Sequence, residues 1–182
     1  MTQRISFICG STGRWRVTSM QAVRAAPLER VSHVDRLSAG APATVNATSW
    51  TLQGLISNVR YATRAQLTTL KAVQVPLGRS SAALAALIPI KKAAAWWDLA
   101  QDERRTIFED QSYHNAIGVH YLPAIARQLY HCRDLGEPFD FLTWFEYPAS
   151  HAQAFEELVA RLRATREWTY VEREVDIRLE RV

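Results

Sequence analysis

From Val171 to Glu180 apolar and charged side chains alternate almost residue by residue. Val171, Val175, Ile177 and Leu179 fall on one face, and Glu172, Glu174, Asp176 and Glu180 on the other. A period of two belongs to an extended chain, so the segment predicts an antiparallel strand with one face in a core and one in water. Such a strand needs partners, and the preceding sequence supplies them. Ala154, Phe155, Leu158, Val159 and Leu162 recur at helical spacing. Ser150-His151-Ala152-Gln153, directly after Pro148, has the form of a capping box for that helix. Residues 126–134 and 139–147 read as two strands joined at Gly136-Glu137-Pro138. Asp102 is placed to cap a helix that runs to about Gly118. Residues 79–97 are ambiguous: Ser80 or Ser81 offers a cap for a short helix over SAALAAL, with ALIPIKK following as a strand. Pro89 argues that this strand lies at a sheet edge or is irregular.

The order from about residue 85 is therefore β-α-β-β-α-β, the ferredoxin-like arrangement. Upstream, residues 4–9 and 14–24 read as strands around Gly10–Gly13. Residues 25–48 read as a long connection with at most a short helical piece, 49–60 as a strand and 62–73 as a helix, before Pro76 and Gly78 break the chain. The expected fold class is α+β, an antiparallel sheet with helices on one face. It divides into a truncated ferredoxin-like subdomain over 1–80 and a second unit over 81–182.

Composition removes several functions. The chain has 182 residues, 48% of them hydrophobic, which suffices for a core. The net charge of +4 is mild and no Lys/Arg run marks a nucleic-acid footprint. No segment approaches the roughly 20 apolar residues of a membrane span, and the apolar run near the N-terminus is short for a signal segment. Cys9 and Cys132 form no CxxC pair. A soluble, cytoplasmic protein in a reducing compartment is expected, with neither nucleic acid nor membrane as partner.

Five histidines, His33, His114, His120, His131 and His151, show no HExxH spacing. That disfavours a multi-histidine metal site but leaves room for one histidine on a haem iron. His114 shares a helical face with Ile107, Gln111 and Gly118, and Gly118 would admit a flat ligand. The spacing suits a half-exposed helix histidine equally well, and His120 is a rival ligand. Arg127 enters an apolar strand, where it must pair with a carboxylate, reach solvent or serve an anion in a cavity. Of Trp96 and Trp97 one should face a core or cavity. Glu167 is either solvated or orients an imidazole. Gly10-Ser11-Thr12-Gly13 has the glycine spacing of a phosphate loop, but no lysine or helix follows, so a hairpin turn is the favoured reading.

Four stretches together resemble the chlorite dismutase family in its short-chain, dimeric lineage. They are IPIKKAAAWW at 88–97, FEDQSYHNA at 108–116, LPAIARQLYHCRDLGEPFDFLTWFEY at 122–147 and REWTYVEREVDIRLE at 166–180. The first 75 residues match only loosely. The resemblance implies a dimeric α+β barrel built from ferredoxin-like units, haem b held in the second unit, and a homodimer. It implies His114 as the iron ligand, with Glu167 accepting a hydrogen bond from its far nitrogen. It implies Lys92, Trp96 and Trp97 on the proximal side and haem edge, Asn58 and Tyr61 at the propionates, and Leu122 on the distal wall. Arg127 would be the distal arginine and Gln74 the glutamine that holds it.

The implied reaction converts chlorite, a small anion, to chloride and dioxygen through a ferryl species and hypochlorite. A fixed cation in a dry pocket would keep the anion in place, and an arginine suits because it does not deprotonate. Two rivals share the architecture. Coproheme decarboxylases typically lack the distal arginine, and dye-decolourising peroxidases carry a GxxDG stretch not found in this sequence. A non-catalytic haem-binding protein of the same fold is a third reading.

Overall fold

The computed structural model describes residues 3–38, 41, 47–56 and 61–182. Eight strands form its frame: β1 (Arg4–Gly10), β2 (Trp15–Arg24), β3 (His33–Ser38), β4 (Trp50–Leu55), β5 (Leu84–Lys92), β6 (Ala126–His131), β7 (Phe141–Tyr147) and β8 (Val171–Arg181). They pair antiparallel into a closed barrel in the order β1-β3-β2-β8-β5-β7-β6-β4. The second four strands run β8-β5-β7-β6, which is the ferredoxin-like 4-1-3-2 order. The first four, taken as β4-β1-β3-β2, repeat it. The two sets join along β2–β8, and again where Leu55 of β4 stands opposite His131 of β6.

Among the described residues five α-helices accompany the strands: α1 (Arg64–Val73), α2 (Ala94–Asp98), α3 (Gln101–Arg105), α4 (His114–His120) and α5 (Ala152–Arg163). The alternation of the strands sorts their side chains into two cores. Ala85 and Leu87 of β5, Leu142 and Trp144 of β7 and Val175 and Ile177 of β8 point into the barrel. Ala86, Ile88 and Ile90 of β5 and Phe145 of β7 point outward, where Phe155, Leu158, Val159 and Leu162 of α5 cover them. Burying side chains of this size stabilises by roughly 1.5–3 kcal/mol each.

Several local expectations are corrected. Pro89 is irregular as one of the two expectations had it, but not at an edge: its strand is flanked by both β7 and β8, and the β5–β8 ladder skips Ile88 and Pro89, where proline has no N–H to give. Residues 25–48 contain strand β3, which separates β1 from β2, so the Gly10–Gly13 segment is not a hairpin turn between paired strands. Residues 80–83 form no helix. The helix expected from Asp102 to Gly118 is broken, and α3 starts from Ala100, whose N–H donates to Glu103. Ser150 does not cap α5, which begins after a 3-10 turn over Ala149–His151. Glu174 and Asp176, expected in water, are buried at 0% and 6% exposure. Arg163 of α5 reaches both, which is how a charged row survives beneath a helix.

Gly54 of β4 sits where the barrel closes. A Cβ there would lie 2.5 Å from the Cβ of Tyr130 on β6. Gly54→Ala is therefore expected to lower unfolding free energy by about 1–3 kcal/mol, the usual penalty for overpacking, as a reduced urea midpoint.

Candidate functional site

The outward faces of β5, β6 and β7 form one wall of a cavity of about 340 Å³, within the range of small-molecule sites. Every second residue contributes: Ile88 and Ile90, Arg127 and Leu129, Phe141 and Phe145. The opposite wall is helical, with His114 and Asn115 of α4 and Val159 and Leu162 of α5. Helix α1 crosses over the opening, and Leu67 and Leu70 turn toward the cavity.

His114 is the first residue of α4, not a late residue of a long helix. Helix α3 runs into a π-helical turn over Thr106–Gln111, and Tyr113 then takes a left-handed conformation at φ 51°. Isolated π turns often mark functional positions. A bulky residue at positive φ is strained unless its surroundings fix it. The break re-aims the chain so that His114 faces the cavity, with the Phe108 ring stacked on the imidazole at 4.2 Å.

Behind His114 lies a buried relay. Glu167 Oε2 is 2.6 Å from His114 Nδ1, and Glu167 Oε1 accepts from Lys92 Nζ at 2.7 Å. Lys92 and Glu167 are each 4% exposed. The Glu167 backbone N–H donates to Ser112 Oγ at 2.9 Å, so the residue is held at its backbone as well as at its carboxylate. Burial alone would raise the Glu167 carboxyl, but His114 and Lys92 outweigh it and hold it down at about 2. A carboxylate on Nδ1 draws the imidazole proton to that nitrogen and leaves Nε2 with its lone pair.

Arg127 approaches from β6. Burial pushes its pKa down, and Glu109 and Glu167 oppose that through their charge. Its guanidinium lies against Gly118 of α4, where a Cβ would come within 2.6 Å of Nη1. A planar group thus occupies the slot that Gly118 leaves open. Two more buried polar atoms, Trp96 Nε1 and Asn115 Nδ2, belong to residues lining the cavity and have no hydrogen-bond partner among the described residues.

The structure gathers most of the predicted residues here. His114, Arg127, Gln74, Lys92, Trp96, Trp97, Glu167 and Tyr61 all line the cavity. Gln74 does so differently from expectation: its Nε2 donates to the backbone oxygen of Arg127 at 3.2 Å rather than holding the guanidinium. Leu122 is not a lining residue; it is half-buried in the turn before a cis bond to Pro123. Asn58 lies outside the described residues. His120 is exposed and sits against Tyr121, away from the cavity. Phe108, Ser112 and Glu109 were given no role from sequence, since nothing in their spacing signals a π turn.

A family model described as chlorite dismutase matches residues 20–181. The chain is 33% identical over 84 residues to a chlorite dismutase of Ideonella dechloratans; the match covers 46% of this chain and spans only 27% of that protein's length. Among solved structures, dimeric chlorite dismutase from Nitrobacter winogradskyi is 56% identical, with a TM-score of 0.90 over 98% of this chain and 99% of that one. A mutant chlorite dismutase from Candidatus Nitrospira defluvii, 18% identical, shares the fold with a TM-score of 0.73 over 99% and 91% of the two chains.

The relay yields a pH prediction. A carboxyl held at about 2 in the folded chain against an ordinary 4.5 gives stability that is fully present above about pH 4.5. That stability is lost as pH falls through 2. Glu167→Gln removes this contribution and leaves the Lys92 ammonium buried without a carboxylate, a loss of about 3–5 kcal/mol at pH 7. Urea unfolding should show the gap between wild type and variant narrowing from pH 5 to pH 2.

Proposed function

The chain belongs to the chlorite dismutase family, and we propose that it is a haem b enzyme converting chlorite to chloride and dioxygen. The observation that carries this reading is that an oriented imidazole, His114, and a buried guanidinium, Arg127, line one apolar cavity. The residues present suit haem. His114 Nε2 would be the ligand atom, and Trp96 Nε1 and Asn115 Nδ2 would offer donors to the haem's polar edge. When bound, haem iron supplies the redox centre at which the Cl–O bonds break and the O–O bond forms.

The chain's own residues do the rest. Glu167 keeps the His114 proton on Nδ1 and strengthens the other nitrogen as a donor. Lys92 fixes Glu167 so that the imidazole cannot rotate. Arg127 supplies a buried positive charge for the anion. In a cavity walled by Ile88, Ile90 and Phe145 that charge is weakly screened and would hold the anion, chlorite and then the hypochlorite left when the first Cl–O bond breaks, until the O–O bond has formed. No acid is required, because the anion arrives unprotonated. Gln74 steadies the strand at Arg127 through its backbone. The Nitrobacter relative is dimeric, and the working form of this chain is a homodimer. The cytoplasm suits Cys9 and Cys132, both free.

The test is an oxygen electrode with added chlorite. Wild type should evolve oxygen, and His114→Ala should lose both haem and oxygen release; haem loading without oxygen release in wild type would sink the assignment. Arg127→Ala should keep haem but bleach after fewer turnovers, because hypochlorite leaves the pocket. A hypochlorite scavenger should then protect the variant more than wild type, and equal protection contradicts the role given to Arg127.

A further inference from the structure

Glu109 is a buried carboxylate that the mechanism does not use. It is 6% exposed and sits in the π-helical turn ahead of His114. Its two oxygens do different things. Oε1 accepts the backbone N–H of Asn115 at 3.1 Å, and Oε2 accepts Nε2 of Gln66 at 2.7 Å. Asn115 is the second residue of α4, whose leading N–H groups have no partner within the helix. Tyr113, which precedes α4, makes no side-chain cap bond. Glu109 therefore does the capping work from the preceding turn.

Gln66 belongs to α1. None of the residues of α1 is fully buried, so the strap rests on few contacts and belongs to the low end of local stability. Two side-chain hydrogen bonds tie it to the cavity walls. Near its start Gln66 reaches the helical wall at Glu109, and just past its end Gln74 reaches the sheet wall at the Arg127 carbonyl. Gln66 serves its own helix as well, because its Oε1 accepts the Thr63 N–H at 2.7 Å.

We infer that Glu109 is a positioning residue that links closure of the α1 strap to placement of His114. One carboxylate oxygen fixes the start of the ligand helix and the other fastens the strap over the cavity. The inference rests on the haem reading for its effect on the iron, and on hydrogen bonding alone for the link itself.

Gln66→Glu keeps the acceptor for Thr63 and replaces the donor to Glu109 by a second carboxylate. Glu109→Ala removes both bonds, and Glu109→Gln keeps an acceptor for Asn115. Three quantities are read: haem transfer to an excess of acceptor apoprotein, the ferric–ferrous reduction potential, and hydrogen exchange at the Asn115 amide. In Gln66→Glu, haem transfer is expected to quicken about tenfold, the scale of one lost charge-assisted hydrogen bond. The potential and Asn115 protection should move in the same direction as in Glu109→Ala, by less, because loosening the strap bond loosens the shared carboxylate; wild-type values of both in this variant would overturn the link. In Glu109→Ala, transfer should quicken at least as much, the potential should shift and Asn115 protection should fall. Glu109→Gln should restore the protection. Wild-type transfer, potential and exchange in both Gln66→Glu and Glu109→Ala would overturn the inference. Wild type that takes up no haem overturns the functional reading instead. The link is then decided in the haem-free chain by Asn115 exchange and by proteolysis within α1, both of which must change in Glu109→Ala if it holds.

Discussion

A lysine ammonium and a glutamate carboxylate are both unfavourable in a protein interior unless each finds the other, and Lys92 and Glu167 meet at 2.7 Å where both are 4% exposed. Lys92 ends β5, and Glu167 follows α5 just ahead of β8. Their pairing therefore joins the middle of the second sheet to the segment that returns from its covering helix. His114 comes last in this chain of dependence: its imidazole is oriented only because Glu167 is already fixed. Trp96 and Trp168 flank the ammonium at 4.7 and 5.6 Å and keep water from the pair. Any ligand chemistry at His114 inherits its geometry from this buried charge pair.

The fold places the pair and the cavity on the outside of the barrel rather than within it. The interior is filled by Phe7, Trp15, Tyr130 and Trp144. The outer face of β5–β8 is lined by large side chains but is covered unequally. Phe155, Leu158, Val159 and Leu162 of α5 press on one part of it, while α1 only spans the remainder. Unequal cover is what leaves a cavity. A glycine at 118 and an arginine at 127 then decide what kind of group fits there.

Much of this was legible in the sequence, for definite reasons. Periods of two and near four, read from Val171–Glu180 and Ala154–Leu162, gave the element order of the second half. The resemblance of four stretches brought His114, Glu167 and Arg127 together, which spacing alone could not do. The illegible parts are those where tertiary context overrides local pattern. Pro89 sits between two strands because the ladder skips it. The π turn and Tyr113 carry no glycine or proline to announce a break. Strand β3 hides in a polar stretch because Asp35 is buried with the backbone and guanidinium of Arg14 as partners. Glu174 and Asp176 looked solvated because their partner Arg163 lies on another element.

The repeated 4-1-3-2 strand order has one further consequence. The second half carries helices over its outer face, whereas among the described residues the strands of the first half have none in their connections. An open sheet stripped in this way would present bare backbone donors and acceptors along its edge, inviting other chains to pair and aggregate. Closure removes that hazard, since β2 is paired by β8 and β4 meets β6. A half-unit with no helix in its described strand connections can therefore still serve as scaffold for the half that carries the cavity.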